Sequence, residues 1–340
     1  MSLTKKEEAI LKSIFVASRN NPKKPEFPPQ NPKFPATPTY KISVPNFSNV
    51  WIKDESVNET GTHKDRMAWE IIVAYKGFLN AKKNGVIKKL PALSIISSGS
   101  AAMAIQTQLK KYKLPNLHVL MDKKTDAKIV DGLKKVGCKI FLKDLDNQAL
   151  DWQKILALTD NEDGFDITSN KAFFSNFYDW MSYEIVNANA DFIFVPFGTG
   201  QLYENIMSVV KNELTNPRKD PRFLGKKKIL QNASILGANT KNKNSKATKL
   251  YAPFLPFTDY SSQWIKFYRH TNLTGQLTQV YDVQEKFLDQ AIELALAQKI
   301  NCEPSAIASL GLLLQMQNKI PRDKKILIVS TGKSCGDFDL

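Results

Sequence analysis

An alternation of extended and helical patterns running from residue 49 to residue 330 constrains this chain more than any other feature. Short apolar runs read as strands at NVWIKD (49–54), LSIIS (93–97), HVLMD (118–122), CKIFLKD (138–144), DFIFVPF (191–197), SILGA (234–238) and KILIVS (325–330). Helical spacing covers 65–80, where Met67, Ile71, Tyr75 and Phe78 share a face. Further helices are expected from about 101, over 124–136, over 283–299 and over 303–318. This order predicts an α/β fold of parallel sheets covered by helices. DFIFVPF is apolar without alternation, as a strand buried on both faces would be. Ligands of such sheets gather where strand ends meet loops.

The segment before residue 49 reads differently. Residues 1–20 suggest a short amphipathic helix. Residues 21–40 hold seven prolines, Pro22, Pro25, Pro28, Pro29, Pro32, Pro35 and Pro38. That density fixes an extended path, expected to lie as an arm over the domain. No apolar run reaches the roughly 18 residues a membrane helix needs, which argues against a membrane-spanning protein. The mixed charges of KKEEAILKSIFVA argue against a secretory signal. Three well-separated cysteines without a CxxC pair offer no zinc ribbon and fit a reducing cytoplasm. The net charge of +15 is spread from end to end. It therefore reads as a Lys-rich soluble surface rather than a nucleic-acid footprint, although anionic small molecules would be attracted.

Several motifs fail on inspection. Gly332, Lys333 and Ser334 resemble the end of a Walker loop, but Leu327 occupies the required earlier glycine position, and only six residues remain for the obligatory helix. Gly198 and Gly200 suggest a dinucleotide fingerprint, but its third glycine would be Tyr203. What remains, a strand followed by Gly-Thr-Gly-Gln-Leu and a helix, suits one phosphate held by backbone N–H groups. It is equally readable as an ordinary strand-to-helix turn. No GxSxG, HExxH or zinc-deaminase pattern occurs, and His63, His118 and His270 are scattered, so no metal site is expected.

The informative segment is ESVNETGTHKDRMAWEI (55–71). Lys64 stands at a helix start, where the dipole and burial would both lower its pKa. A neutral lysine amine is what Schiff-base chemistry needs. Taken alone, the segment is as readily a lysine on a solvated face. However, TGTHKDR resembles the PTGSFKDR stretch of fold-type II pyridoxal-phosphate enzymes, most of all the threonine synthase branch. Six more stretches resemble that family in the same order: Thr37-Pro38, SSGSAAMAI (97–105), SNKAFFSNFYDWMSYEI (169–185), FVPFGTGQL (194–202), NCEPSAIASL (301–310) and IVSTGK (328–333).

The resemblance implies pyridoxal 5'-phosphate as cofactor and a small amino acid as substrate. It implies that Lys64 bonds the cofactor as a Schiff base and removes the substrate α-proton. Gly198, Thr199, Gly200, Gln201 and Leu202 would bind the cofactor phosphate. Thr331, or alternatively Ser330, would face the pyridine nitrogen with a hydroxyl. A neutral partner there suits a lyase acting by elimination, or replacement at Cβ or Cγ. Ser97, Ser98, Gly99, Ser100 and Ala101 would grip the substrate carboxylate, and Glu303 would sit near the cofactor ring.

Three departures surround the expected substrate. Ser100, which the resemblance also implies as a cofactor-binding residue, stands where the family has an Asn that reaches the cofactor's phenolic oxygen. Asn170, Lys171, Ala172 and Phe173 stand where it has N-x-x-R, leaving Lys171 as a point charge toward substrate. Gln201 replaces a glycine. Together they predict a kept cofactor and a substrate other than O-phosphohomoserine. A serine/threonine dehydratase, a cysteine synthase-like enzyme and a catalytically weak binding protein remain open. The implied architecture is two three-layer domains, with a large cofactor-binding domain from 1–80 and 185–340 and a small mobile domain from 81–184. Dimerisation is usual in the family; composition says nothing of it.

Overall fold

The computed structural model describes residues 34–145, 150–168, 177–251 and 274–333. The expected helix at 1–20, the arm as far as residue 33, and Lys171 lie outside these residues. Two sheets organise the fold. The larger contains β1 (Thr39–Val44), β2 (Phe47–Asp54), β7 (Phe192–Pro196), β8 (Ser234–Asn239), β9 (Gln279–Asp282) and β10 (Ile326–Ser330), in the order β1-β2-β10-β7-β8-β9. Only the β1–β2 pairing is antiparallel. The smaller sheet, β5-β4-β3-β6, is parallel throughout and contains β3 (Leu93–Ile96), β4 (His118–Asp122), β5 (Lys139–Lys143) and β6 (Phe165–Asp166).

Nine α-helices connect these strands among the described residues. They are α1 (Lys64–Lys83), α2 (Ser100–Lys111), α3 (Ala127–Val136), α4 (Trp152–Leu158), α5 (Asp179–Asn187), α6 (Gln201–Thr215), α7 (Lys227–Asn232), α8 (Glu285–Ala297) and α9 (Pro304–Gln315).

The continuous apolar runs have the reason anticipated for them. Side chains alternate across a strand. In β10, Leu327 and Val329 enter the core shared with α1, α2 and α6, while Ile326 and Ile328 enter the opposite core with α8 and α9. In β7, Ile193 and Val195 face the first core and Phe194 the second. Both faces of these central strands are therefore apolar. The first core also includes Leu93, Ile95 and Val119 of the smaller sheet, so a single apolar body joins the two sheets on that side.

Strand β1 is hidden, in the sequence, behind the prolines. Its Tyr40, Ile42 and Val44 alternate, and Pro45-Asn46 turns the chain, with Asn46 at φ 68°. The helix expected over 124–136 begins later, at Ala127, because the Asp126 carboxylate caps it by accepting from the Lys128 N–H.

Candidate active site

Strand ends of both sheets converge on a cavity of about 280 Å³. Pro196, Thr331, Ile96 and Asp122, at or just beyond the carboxyl ends of β7, β10, β3 and β4, all line it. The placement is that of a ligand site in a parallel sheet.

Lys64 is the first residue of α1. The turn before it is closed locally. The Thr62 hydroxyl accepts from the Lys64 N–H at 3.2 Å. The Asp65 carboxylate accepts from the Thr60 N–H at 2.9 Å and from its hydroxyl at 2.8 Å. The same turn is fastened to the far end of the chain. The His63 N–H donates to the Thr331 carbonyl at 3.1 Å, and the Lys333 N–H donates to the Gly61 carbonyl at 2.9 Å. The Gly332 carbonyl accepts from the Glu303 N–H at 3.2 Å, adding the start of α9 to the same junction. Gly332 has φ +94°, and a Cβ there would lie 2.1 Å from the Gly61 oxygen. No other residue permits this approach.

The Lys64 Nζ donates to the Tyr178 hydroxyl at 2.9 Å. Burial lowers the Lys64 pKa to about 8. The depression expected at sequence level is present, and desolvation accounts for it. Beside it, burial and then the Lys64 charge push His63 well below the ordinary histidine range, so its ring is neutral. That ring stacks on Tyr178, with centroids 5.3 Å apart.

Behind Lys64 lies a buried ionic cluster. Arg66 donates to Glu55 at 2.6 and 2.9 Å and to Glu184 at 2.9 Å through both outer nitrogens. Lys53 pairs with Glu184 at 2.6 Å and donates to the Thr37 carbonyl at 2.6 Å. The Thr37 hydroxyl donates to Glu55 at 2.6 Å. Two cations thus face two carboxylates, of which Glu55 is fully buried and Glu184 partly exposed. Such a cluster orients what it ties more surely than it stabilises. Here it ties β2, α1, α5 and the segment before β1.

Gly198, Thr199, Gly200, Gln201 and Leu202 all line the cavity. Gly200 caps α6 at φ 85°, and the first-turn amides of a helix have no acceptor within it. A Cβ on Gly198 would lie 3.0 Å from the Lys249 carbonyl oxygen. The glycine therefore lets the 3-10 turn Thr248–Leu250 pass close by.

Ser97, Ser98, Ser100 and Ala101 form another wall. The Ser97 hydroxyl accepts from the Gly99 and Ala102 N–H groups at 3.1 and 3.3 Å, shaping the start of α2. Gly99 does not line the cavity; its amide is used inside the turn, and φ 135° explains why it is glycine. Thr331 lines the cavity and Ser330 does not, its hydroxyl being buried with no partner among the described residues. Glu303 lines it too, with its carboxylate bound by Lys249 rather than open to the cavity.

Sequence reasoning misses His63 and Lys249 as parts of this cavity, the bond between Tyr178 and Lys64, and the cluster around Arg66. Tyr178 and Arg66 lie inside stretches that stand out for other residues. Lys249 has no signal of its own, since its partner lies 54 residues away.

A profile of the "Pyridoxal-phosphate dependent enzyme" family matches residues 33–332. No curated protein sequence matches the chain. Among solved structures, it is similar to maize serine racemase, with TM-score 0.62 and 18% identity over 97% of this chain and 94% of that one. It is similar to O-acetylserine sulfhydrylase isoform 3 from Entamoeba histolytica, with TM-score 0.64 and 13% identity over 94% and 92%. It is also similar to a pyridoxal 5'-phosphate-dependent aspartate racemase, with TM-score 0.63 and 14% identity over 100% and 98%. At these identities the structures speak for the fold. The residues present fit the family's cofactor. A lysine whose pKa burial lowers, a helix start opened by two glycines and a threonine all line one cavity. Among the described residues no helix is long and apolar enough to cross a membrane, and no cluster suits a metal ion.

Proposed function

The chain belongs to the pyridoxal-phosphate-dependent enzyme family, and from that premise we propose that it acts on a small amino acid by elimination or by replacement at Cβ or Cγ. The observation that carries this reading is that Lys64, whose pKa burial lowers to about 8, lines one cavity together with Thr331 and the turn Gly198–Leu202. When bound, pyridoxal 5'-phosphate supplies an aldehyde and an electron-withdrawing ring. Lys64 is the residue that would hold that aldehyde, and its amine would serve as the base for the substrate Cα proton. The turn Gly198–Leu202 holds the phosphate at the start of α6. Thr331 would offer the ring nitrogen a neutral hydroxyl, and a neutral partner there would favour elimination and replacement over transamination. The turn of Ser97, Ser98, Ser100 and Ala101 receives the substrate carboxylate, with Gly99 setting its shape. The turn bearing these serines follows β3 of the smaller sheet, and movement of that sheet toward the larger one would close the cavity to water.

The threonine synthase and cysteine synthase branches both satisfy this scheme. Two features speak against O-phosphohomoserine as substrate. Ser100 stands in the place of Asn, and the basic side chains lining the cavity among the described residues, Lys64 and Lys249, are already engaged by Tyr178 and Glu303. The test is spectral titration of the purified, cofactor-loaded protein with L-serine, L-threonine, O-acetyl-L-serine and O-phosphohomoserine. Serine or its O-acetyl ester should change the visible band, and Lys64→Ala should abolish that band altogether. A band that survives Lys64→Ala would assign the bond to another lysine. Turnover of O-phosphohomoserine on the order of 10 per second, a median enzyme rate, would overturn the substrate assignment.

A further inference from the structure

We propose that the Tyr178 hydroxyl is a dock for the Lys64 amine: a positioning residue that holds Nζ whenever the amine is not bonded to the cofactor. The inference rests on the proposed role of Lys64. Nζ lies 2.9 Å from the phenolic oxygen and 5.5 Å from the ring centroid. The phenol has little freedom. Its ring is buried and stacked on His63, and its hydroxyl also approaches the Met67 sulfur at 3.6 Å.

Its backbone position is set from behind. Tyr178 directly precedes α5, whose Glu184 is clamped by Arg66 and Lys53. Helices α1 and α5 are therefore linked twice, through Arg66 to Glu184 and through Lys64 to Tyr178. A hydroxyl accepts from an ammonium and donates to a neutral amine, so it keeps hold of Nζ in either protonation state. Burial raises the pKa of the phenol itself, which keeps its proton in place. The other titratable groups on surrounding elements are neutral His63, the Arg66–Glu55–Glu184–Lys53 cluster, the Lys249–Glu303 pair and Asp122 at the cavity wall.

The test is trace acetylation of the cofactor-free full-length chain across pH, read at Lys64 by mass spectrometry, in wild type and Tyr178→Phe. The phenylalanine keeps the stack on His63 and removes the bond. The bond to the ammonium is charge-assisted and stronger than the bond to the neutral amine, so its loss should lower the Lys64 midpoint by roughly one pH unit, a tenfold change in its acid dissociation constant. An unchanged midpoint overturns the dock.

A second measurement does not depend on that variant folding. 3-Fluorotyrosine placed at 178 should give a fluorine resonance that titrates with Lys64 near pH 8. The titration should vanish in Lys64→Met and on loading with pyridoxal phosphate. A flat resonance in the cofactor-free protein, or one indifferent to loading, overturns the proposal. The two readings fail separately. A visible band that survives Lys64→Ala sinks the cofactor role, whereas an unchanged midpoint with a band that needs Lys64 sinks the dock alone.

Discussion

Gly332→Ala offers the most direct test of how the site is assembled. The substitution imposes two penalties. At φ +94° an alanine meets the left-handed steric cost of about 1–2 kcal/mol. Its Cβ would lie 2.1 Å from the Gly61 oxygen and 3.1 Å from both the Gly61 carbonyl carbon and the Ser56 Cα. That backbone must retreat by roughly 1 Å to restore ordinary contact, and such overpacking costs about 1–3 kcal/mol. The expected loss of stability is the sum, roughly 2–5 kcal/mol. The displaced carbonyl belongs to the turn that presents Lys64, and a 1 Å misplacement there should cost about 100-fold in kcat/KM.

Gly85→Ala is the internal control. Gly85 has φ +73°, and a Cβ at that position would meet nothing within 4 Å, so it isolates the backbone penalty. Thermal melting of both variants, followed by circular dichroism, reads stability; the visible cofactor band and kcat/KM read the site. If Gly332→Ala melts with Gly85→Ala and keeps full activity, the junction of Gly61, Gly332 and Glu303 does not position Lys64.

Two further predictions concern charge. Arg66→Ala removes the guanidinium bonds to both carboxylates and leaves the fully buried Glu55 with hydrogen bonds from Thr37 and Asn58 and with Lys53, at 4.0 Å, as its remaining countercharge; the cost in urea unfolding should be about 3 kcal/mol, the lower end for a broken buried pair, and a loss below about 1 kcal/mol would show that water replaces the guanidinium. With the Lys64 pKa near 8, the neutral amine is the minority form at lower pH and its share grows about tenfold per unit as pH rises. Capture of pyridoxal phosphate by the cofactor-free chain, followed as growth of the visible band, should accelerate accordingly up to about pH 8 and then level off. A rate still climbing steeply at about pH 10 would mean that the amine keeps its ordinary pKa.

What the sequence makes legible follows from how far each interaction reaches along the chain. Strand β4 is expected at His118–Asp122 and occupies those residues, and α1 extends only a few residues beyond its expected bounds. Both are dictated by local periodicity and bounded by polar residues. The two-residue β6 and the seven-residue α4 are too short to carry a period, and neither is foreseen. Among the expected site residues, those in strand-end turns reach the cavity because each turn is built by its own neighbours, as Ser97 builds the start of α2. Glu303 shows the limit. The Glu-Pro pair marks the start of α9 plainly, but nothing local reveals that Lys249 takes up its carboxylate.

The same distinction separates chemistry from its assembly. Lys64 can be singled out from TGTHKDR because a motif marks the position proposed to react. Its placement depends on contacts between distant parts of the chain, with Gly61 against Gly332, His63 against Thr331 and Lys64 against Tyr178. The first of these requires an absent side chain, the second is backbone to backbone, and the third joins residues whose neighbours are expected to do different work. A chain that retained TGTHKDR but lost Gly332 would keep its reactive lysine and misplace it. On the proposed role of Lys64, the late Thr-Gly pair therefore belongs to the site as much as the lysine does: Thr331 lines the cavity, and Gly332 lets the Lys64 turn lie against it.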